Sequence, residues 1–321
     1  MRSIILLFFV LILSSCGEVK QSNVESESNR EISVANLKEA NISSGQLFRI
    51  QKFPSEFIED RAVDIWLPDG YSQDQKYAVL YMHDGQMLFD STSTWNKQEW
   101  QVDEVASKLM KSNKVQEFIV VAPHNISEIR HSDYFPQKPF ESLPKKTQDS
   151  IFAEAKQNNI SFTKLNSDNY LKFLVEELKP FIDSVYPTYS KKESTFVMGS
   201  SMGGLISMYA ICEYPEIFGG AACLSTHWIG TFTNENNPIP NAFFEYMKAH
   251  LPDSNTHKLY FDYGTETLDA MYLSYQSKVS SLLESKGYVH NLKYDGAAHD
   301  ERSWAARLDV PISFLLRKEI E

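Results

Sequence analysis

Phe196-Val197-Met198-Gly199-Ser200-Ser201-Met202-Gly203-Gly204-Leu205 reads as a buried strand, a sharp turn and the opening of a helix. Three apolar residues run into a Gly-x-Ser-x-Gly string, and the residues to 213 continue with helical composition. A serine on so tight a turn needs glycine on both sides, where a Cβ would collide with the facing backbone. It then stands at a helix N-terminus, where free N–H groups and the helix dipole favour developing negative charge. The pentapeptide alone is a weak signal; the strand before it and the helix after it give it weight. Ser201 is therefore the expected nucleophile, and Ser200 carries its hydroxyl at the wrong place in the string.

Working outward, short β-rich or apolar runs fall at 61–67, 77–82, 118–122, 195–198, 220–224, 259–263 and 291–294. Helix-periodic stretches lie between or after them, at 102–110, 168–185, 201–213, 242–250, 270–285 and 304–317. In 168–185, Leu171, Leu174, Val175, Leu178, Phe181 and Ile182 share one face. Alternation of this kind predicts an α/β domain with a mostly parallel central sheet and helices on both faces. With the elbow around Ser201, it predicts the α/β-hydrolase fold. Residues 124–166 break the rhythm: they are long, polar and studded with Tyr134, Phe135, Pro136, Phe140 and Phe152. They are expected to be an insertion capping the site.

A serine hydroxyl attacks only when a base removes its proton. In this fold the chain order is serine, acid, histidine, with the histidine after the last strand. Of eight histidines, His299 in Asp295-Gly296-Ala297-Ala298-His299-Asp300 has that place. His227 sits at a strand end and could line the pocket, His290 would enter a strand, and His250 and His257 flank an expected exposed turn. The acid should follow the 259–263 strand. Asp269 and Glu266 both qualify, and Asp269, directly ahead of the next helix, is favoured. The oxyanion hole needs two backbone donors. The expected pair is Met202 N–H and Gln86 N–H, the latter in the turn His83-Asp84-Gly85-Gln86. Trp95, Trp100, Tyr134 and Trp228 are candidate ring-stacking surfaces for substrate, with a core role the equal alternative.

The chain's remaining features bound its setting. Net charge is −11 over 321 residues, which disfavours nucleic acid and anionic membrane as partners. No cysteine spacing suits a zinc site and no HExxH is present, so neither metal nor cofactor is expected. Cys212 and Cys223 read as buried thiols, with a disulfide the alternative. Arg2, the apolar run 4–13 and Leu13-Ser14-Ser15-Cys16 resemble a bacterial lipobox. The run is shorter than the roughly 20 residues a membrane span needs. The expected organisation is thus a signal peptide over 1–15, a flexible tether over 16–45 beginning at a lipidated Cys16, and a hydrolase domain over 46–321. That places the protein extracytoplasmically, with lipid its one contact to the membrane.

Together these residues make the chain resemble the esterase family that includes esterase D, feruloyl esterases of carbohydrate esterase family 1, enterochelin esterases and mycolyltransferases. The resemblance rests on His83 to Gln86 with Leu88-Phe89-Asp90, Trp95 and Glu99-Trp100. It rests further on Tyr134-Phe135-Pro136, the elbow 199–204, Ser225 to Trp228, Gly264-Thr265, and His299-Asp300 with Ser303-Trp304. It covers about residues 46–317. It implies Ser201 as nucleophile, His299 as base, an acid after Gly264, and donors from Gln86 and Met202. One departure stands out: many relatives place the acid three residues after the glycine, where this chain has Thr267. The expected activity is hydrolysis of a carboxylic ester, on an acylated carbohydrate or a similar small external molecule. Acyl transfer to a sugar hydroxyl and a non-catalytic glycan-binding lipoprotein are the alternatives.

Overall fold

The computed structural model describes residues 32–157, 164–231, 233 and 235–318; Cys16 and the expected leader lie outside them. Among the described residues, nine strands form one sheet in the order β1-β2-β3-β5-β4-β6-β7-β8-β9. They are β1 (Ala35–Asn36), β2 (Gln46–Phe53), β3 (Arg61–Leu67), β4 (Ala78–Met82), β5 (Phe118–Pro123), β6 (Thr195–Ser200), β7 (Gly220–Leu224), β8 (Lys258–Gly264) and β9 (His290–Tyr294). β1, β2 and β3 join antiparallel at one side, and every pairing from β5 through β4 to β9 is parallel. This is the mostly parallel sheet of the α/β-hydrolase fold.

Burial explains which runs became strands. β4 to β7 are buried at every position, as strands covered on both faces must be. Period-two alternation sorts their side chains. Val79, Tyr81 and Val197 enter the core on one face, where Leu205, Ile206 and Met208 of the Met202–Glu213 helix cover them. Ala78, Leu80, Met82 and Phe196 enter the core on the other, beneath Val102 and Leu109 of Val102–Lys111 and Ile312 and Leu315 of Asp309–Leu316. β9 is half-exposed along its length, as an edge strand is.

The helical stretch expected at 168–185 is wound in three ways: α over Ser167–Lys172, π over Phe173–Leu178 and α over Lys179–Val185. Pro180 accounts for the change. It has no N–H to offer the carbonyl four residues earlier, and the turns preceding it widen. The last helical stretch is also divided, into Glu301–Ala305 and Asp309–Leu316. No helix of the described residues is long and apolar enough to cross a membrane.

One expectation changes. Residues 32–45 are part of the folded body rather than tether. β1 pairs with β2, Leu37, Ala40 and Ile42 pack on the core, and Asp103 Oδ2 accepts the N–H groups of Ser43 (2.6 Å) and Ser44 (3.2 Å). The expected insertion, 124–166, is itself folded over its described residues. It forms helices Arg130–Tyr134, Gln137–Glu141 and Lys145–Gln157, and Tyr134, Phe135 and Phe140 are fully buried. Its aromatic residues make core, a role that composition alone does not separate from a lid.

One ion pair fastens the insertion to the sheet. Arg61 at the start of β3 meets Asp133 at 2.8 Å, and both side chains are almost wholly buried. Removing one partner from such a pair leaves an uncompensated charge and costs about 3–5 kcal/mol. Asp133→Ala is therefore expected to lower the urea-unfolding free energy by about that amount, and the double change Arg61→Met with Asp133→Leu to recover most of it. A single mutant with the parent's midpoint would show that the pair does not hold the insertion.

Candidate active site

Four parallel strands, β6 to β9, end at one edge of the sheet. Their registers run Ser200 beside Leu224, Leu224 beside Asp262, and Gly264 beside Tyr294. The segments that follow them carry Ser201, Ser225, Asp269 and His299, so residues distant in sequence are a few ångströms apart by strand spacing.

Ser201 has φ 58° and ψ −119°, backbone values that L-residues rarely hold. The turn is tight: a Cβ at Gly199 would lie 2.8 Å from Gly203 carbonyl atoms, and one at Gly204 would lie 2.9 Å from Thr226 Oγ1. Ser201 N–H donates to Leu224 O at 2.9 Å, and Ser201 O accepts from His227 N–H at 3.2 Å, locking the turn onto β7. Ser201 keeps partial solvent access.

His299 Nδ1 lies 2.6 Å from Asp269 Oδ1. The carboxylate only accepts, so Nδ1 carries the proton and Nε2 is the basic nitrogen. His299 N–H donates to Thr267 Oγ1 at 2.8 Å. The residue that stands where many relatives carry an acid thus positions the histidine backbone. Glu266 is exposed at the surface. Asp269 is fully buried, and its Oδ2 accepts Ser225 Oγ–H and Gly264 N–H, each at 2.6 Å. Burial pushes this carboxyl up. The His299 hydrogen bond and charge, with the Ser225 and Gly264 donors, outweigh it and hold Asp269 below the usual carboxylate range. Gly264 cannot be larger: a Cβ there would lie 2.2 Å from Ala297 O.

The turn after β4 supplies the second expected donor. Asp84 has φ 61°, and Gly85–Met87 forms a 3₁₀ turn. A Cβ on Gly85 would lie 2.2 Å from Ala122 O. Asp84 is clamped by Arg130 at 2.8 and 2.7 Å and by Asn125 Nδ2 at 2.7 Å. Burial pushes the Asp84 carboxyl up, but these partners keep it ionised. The carboxylate also lies against the Met202–Glu213 helix, 3.4 Å from where a Gly203 Cβ would be. The insertion thereby braces the turn bearing Gln86, whose side chain accepts Asn125 N–H at 3.1 Å. Met202 opens its helix, so its N–H has no preceding turn to donate into.

Two buried histidines, His83 and His227, and the half-buried His131 surround this arrangement. Burial lowers His83 and His131 to about 4 and His227 well below its ordinary value. They are neutral near pH 7 and add no positive charge beside the site.

Among the described residues no hydrogen bond joins Ser201 Oγ to His299. Of the expected ring surfaces, Tyr134 and Trp228 are core residues. Tyr134 is fully buried, its hydroxyl accepts Asp84 N–H, and Arg130 lies over its ring. Trp228 stacks on Phe261 at 5.5 Å. Trp100 is buried against Trp304. Trp95 is 84% exposed, on a loop tied to the helix that follows His299 through Asn96 Nδ2 and Glu301 Oε2 at 2.8 Å. His257, expected at an exposed turn, is buried with Nε2 2.7 Å from Pro215 O. Cys212 and Cys223 are free, buried thiols, both pushed up by burial. The sequence reading missed Ser225, Thr267, Asn125 and Arg130 as site residues. Ser225 and Thr267 lay within quoted stretches at strand ends, while Arg130 and Asn125 gave no local signal.

The geometry can be set beside known proteins. The chain is 26% identical over 167 residues to the uncharacterized protein YjcH of Bacillus subtilis, covering 52% of this chain and 56% of that one. It is 24% identical over 212 residues to an endo-1,4-beta-xylanase/feruloyl esterase of Xylanibacter ruminicola, covering 63% of this chain and 24% of that protein. It thus spans little over half the length of the curated Bacillus relatives it matches. Among solved structures, a ferulic acid esterase superposes with TM-score 0.61 at 17% identity, over 86% of this chain and 99% of that one. The BES protein from Bacillus cereus gives TM-score 0.60 at 16% identity, over 92% and 100%. These likenesses establish the α/β-hydrolase fold. The family model described as Putative esterase matches residues 55–314, and the chain belongs to that esterase family.

Proposed function

We propose that this chain is a serine esterase that cleaves carboxylic esters through an acyl-enzyme, with Ser201 as nucleophile, His299 as base and Asp269 as the acid that orients it. The observation that carries the reading is the 2.6 Å bond from His299 to a buried, ionised Asp269, at the sheet edge that also holds the strained Ser201 turn. Nδ1 is committed to the carboxylate, so Nε2 takes the serine proton as Oγ attacks the carbonyl. Asp269 stabilises the imidazolium that forms. The N–H groups of Met202 and Gln86 receive the tetrahedral oxyanion, an interaction whose loss costs about 2.7–4 kcal/mol elsewhere. His299 then protonates the departing alcohol, and water resolves the acyl-enzyme by the same route. The serine–histidine hydrogen bond forms as substrate binds, since such bonds commonly tighten in the Michaelis complex.

The substrate reading is an acylated carbohydrate or a similar small external ester. Support comes from the xylanase/feruloyl esterase and ferulic acid esterase among the similar proteins, and from Trp95, an exposed indole on a loop tied beside His299. With Cys16 lipidated, the enzyme acts outside the cytoplasm, anchored to the cell envelope by acyl chains that bury about 0.8 kcal/mol per CH₂.

Ser201→Ala is expected to lower kcat on a short-chain aryl ester on the order of 10⁴-fold or more and to abolish labelling by a fluorophosphonate; retained turnover refutes the nucleophile. Trp95→Ala should raise KM for feruloylated or acetylated oligosaccharides by about 2- to 10-fold with kcat unchanged. Equal KM values in parent and mutant would remove Trp95 from substrate binding. Cys16→Ala is expected to move the protein from the membrane to the soluble fraction on cell fractionation, and unchanged membrane association would exclude the lipid anchor.

A further inference from the structure

Behind Asp269 lies a second, wholly buried layer of polar groups that the chemistry above does not use. Ser225 follows β7 with φ 44°, a strained backbone for a residue with a Cβ. Its hydroxyl has three partners: Asp269 Oδ2 at 2.6 Å, Trp304 Nε1 at 3.0 Å and Arg307 NH2 at 3.0 Å. The direction of every bond follows from the chemistry of the groups. Indole and guanidinium only donate, so both point hydrogens at Ser225 Oγ, and the one hydroxyl hydrogen goes to Asp269. A hydroxyl donates once and accepts twice, so this one is saturated, with no freedom to rotate.

Arg307 is fixed in turn. It grips Asp262 with Nε and NH2 at 3.0 Å each, and NH1 donates to Ser303 O at 2.9 Å. Asp262 accepts Ser225 N–H at 3.2 Å and Tyr260 O–H at 3.1 Å. Arg307 and Asp262 are nearly inaccessible to solvent. The same serine thus bonds Asp262 through its backbone and Asp269 through its side chain. Trp304 also lies edge-on to the His299 ring at 5.1 Å.

We infer that Ser225 is a positioning residue for the reaction, the terminal donor of an Asp262–Arg307–Ser225 relay that fixes the orientation and charge of Asp269 and, through it, the tautomer of His299. The inference rests on the esterase reading for its kinetic consequence, and on geometry alone for its structural one. The charged and titratable groups facing Asp269 are His299 from the loop after β9, Arg307 from beyond the Glu301–Ala305 helix, Tyr272 from its own 3₁₀ segment, and Asp262 behind Arg307. A donor hydrogen aimed at Oδ2 draws carboxylate charge away from Oδ1. Its loss leaves the His299–Asp269 pair more basic and less tightly oriented.

The test is Ser225→Gly, since glycine takes φ 44° without strain, with Ser225→Cys as a near-isosteric variant bearing a weaker donor. Folding of each is checked by urea midpoint. On an aryl ester, Ser225→Gly should lower kcat about 10- to 100-fold with KM unchanged, and Ser225→Cys should fall between it and the parent. The acid limb of kcat/KM, which reports protonation of the His299–Asp269 pair, should move to higher pH in Ser225→Gly. Independently of turnover, proton NMR of the parent should show a downfield His299 Nδ1–H resonance that disappears in His299→Ala and shifts in Ser225→Gly. Parent-like kcat and acid limb in folded Ser225→Gly, or an unshifted resonance, overturns the relay. A parent chain inactive on every ester counts against the esterase reading instead, and the NMR comparison still decides the relay.

Discussion

The structure turns on holding one serine in a backbone conformation that it disfavours. A residue at φ 58° and ψ −119° costs on the order of 1–3 kcal/mol, and it persists only because its neighbours leave no alternative. Gly199 and Gly204 permit contacts that any Cβ would forbid. Leu224 and His227 hold Ser201's own N–H and C=O. Leu224 ends β7 and His227 lies in the turn just beyond it, and β7 is placed by a sheet buried on both faces. The central strands therefore do more than form a core: they supply the rigidity that lets a strained turn survive.

The second constraint is electrostatic. Asp269 has no exposed surface, yet it is held ionised beside an imidazole. An isolated buried carboxylate would take up a proton. Here three donors converge on it, from His299, Ser225 and Gly264. Other carboxylates are met by opposite charge, in the buried Arg61–Asp133 and Arg307–Asp262 pairs and the half-buried Arg130–Asp84 clamp. Each also joins segments far apart in sequence, so charge compensation and the assembly of the site are one and the same set of contacts.

Much of this was legible in the chain, because period and turn chemistry are local. The runs at 195–198 and 220–224 became β6 and β7, and the glycines around Ser201 announced their turn. Chain order narrowed the acid to Asp269 or Glu266 and favoured Asp269 as the one directly ahead of a helix; it lies within the 3₁₀ segment Thr267–Tyr272 that leads into Leu273–Ser285. What stayed hidden depends on tertiary packing. Tyr134 and Trp228 have the composition of binding surfaces and the positions of core residues, and no local pattern separates the two. Residues 32–45 looked polar enough to be linker, yet Asp103 gathers their backbone N–H groups from about sixty positions away. Arg130 became a brace only when the insertion folded back beside β4.

One pair of loops bears on how such a scaffold diversifies. Ala297 O accepts the N–H groups of both Thr265 and Glu266 at 3.0 Å, Thr265 Oγ1 accepts Gly296 N–H at 2.8 Å, and Thr267 Oγ1 accepts His299 N–H. The segments bearing Asp269 and His299 are stitched residue by residue, so an insertion or deletion in either would slip the register of both. The two loops can therefore change only together.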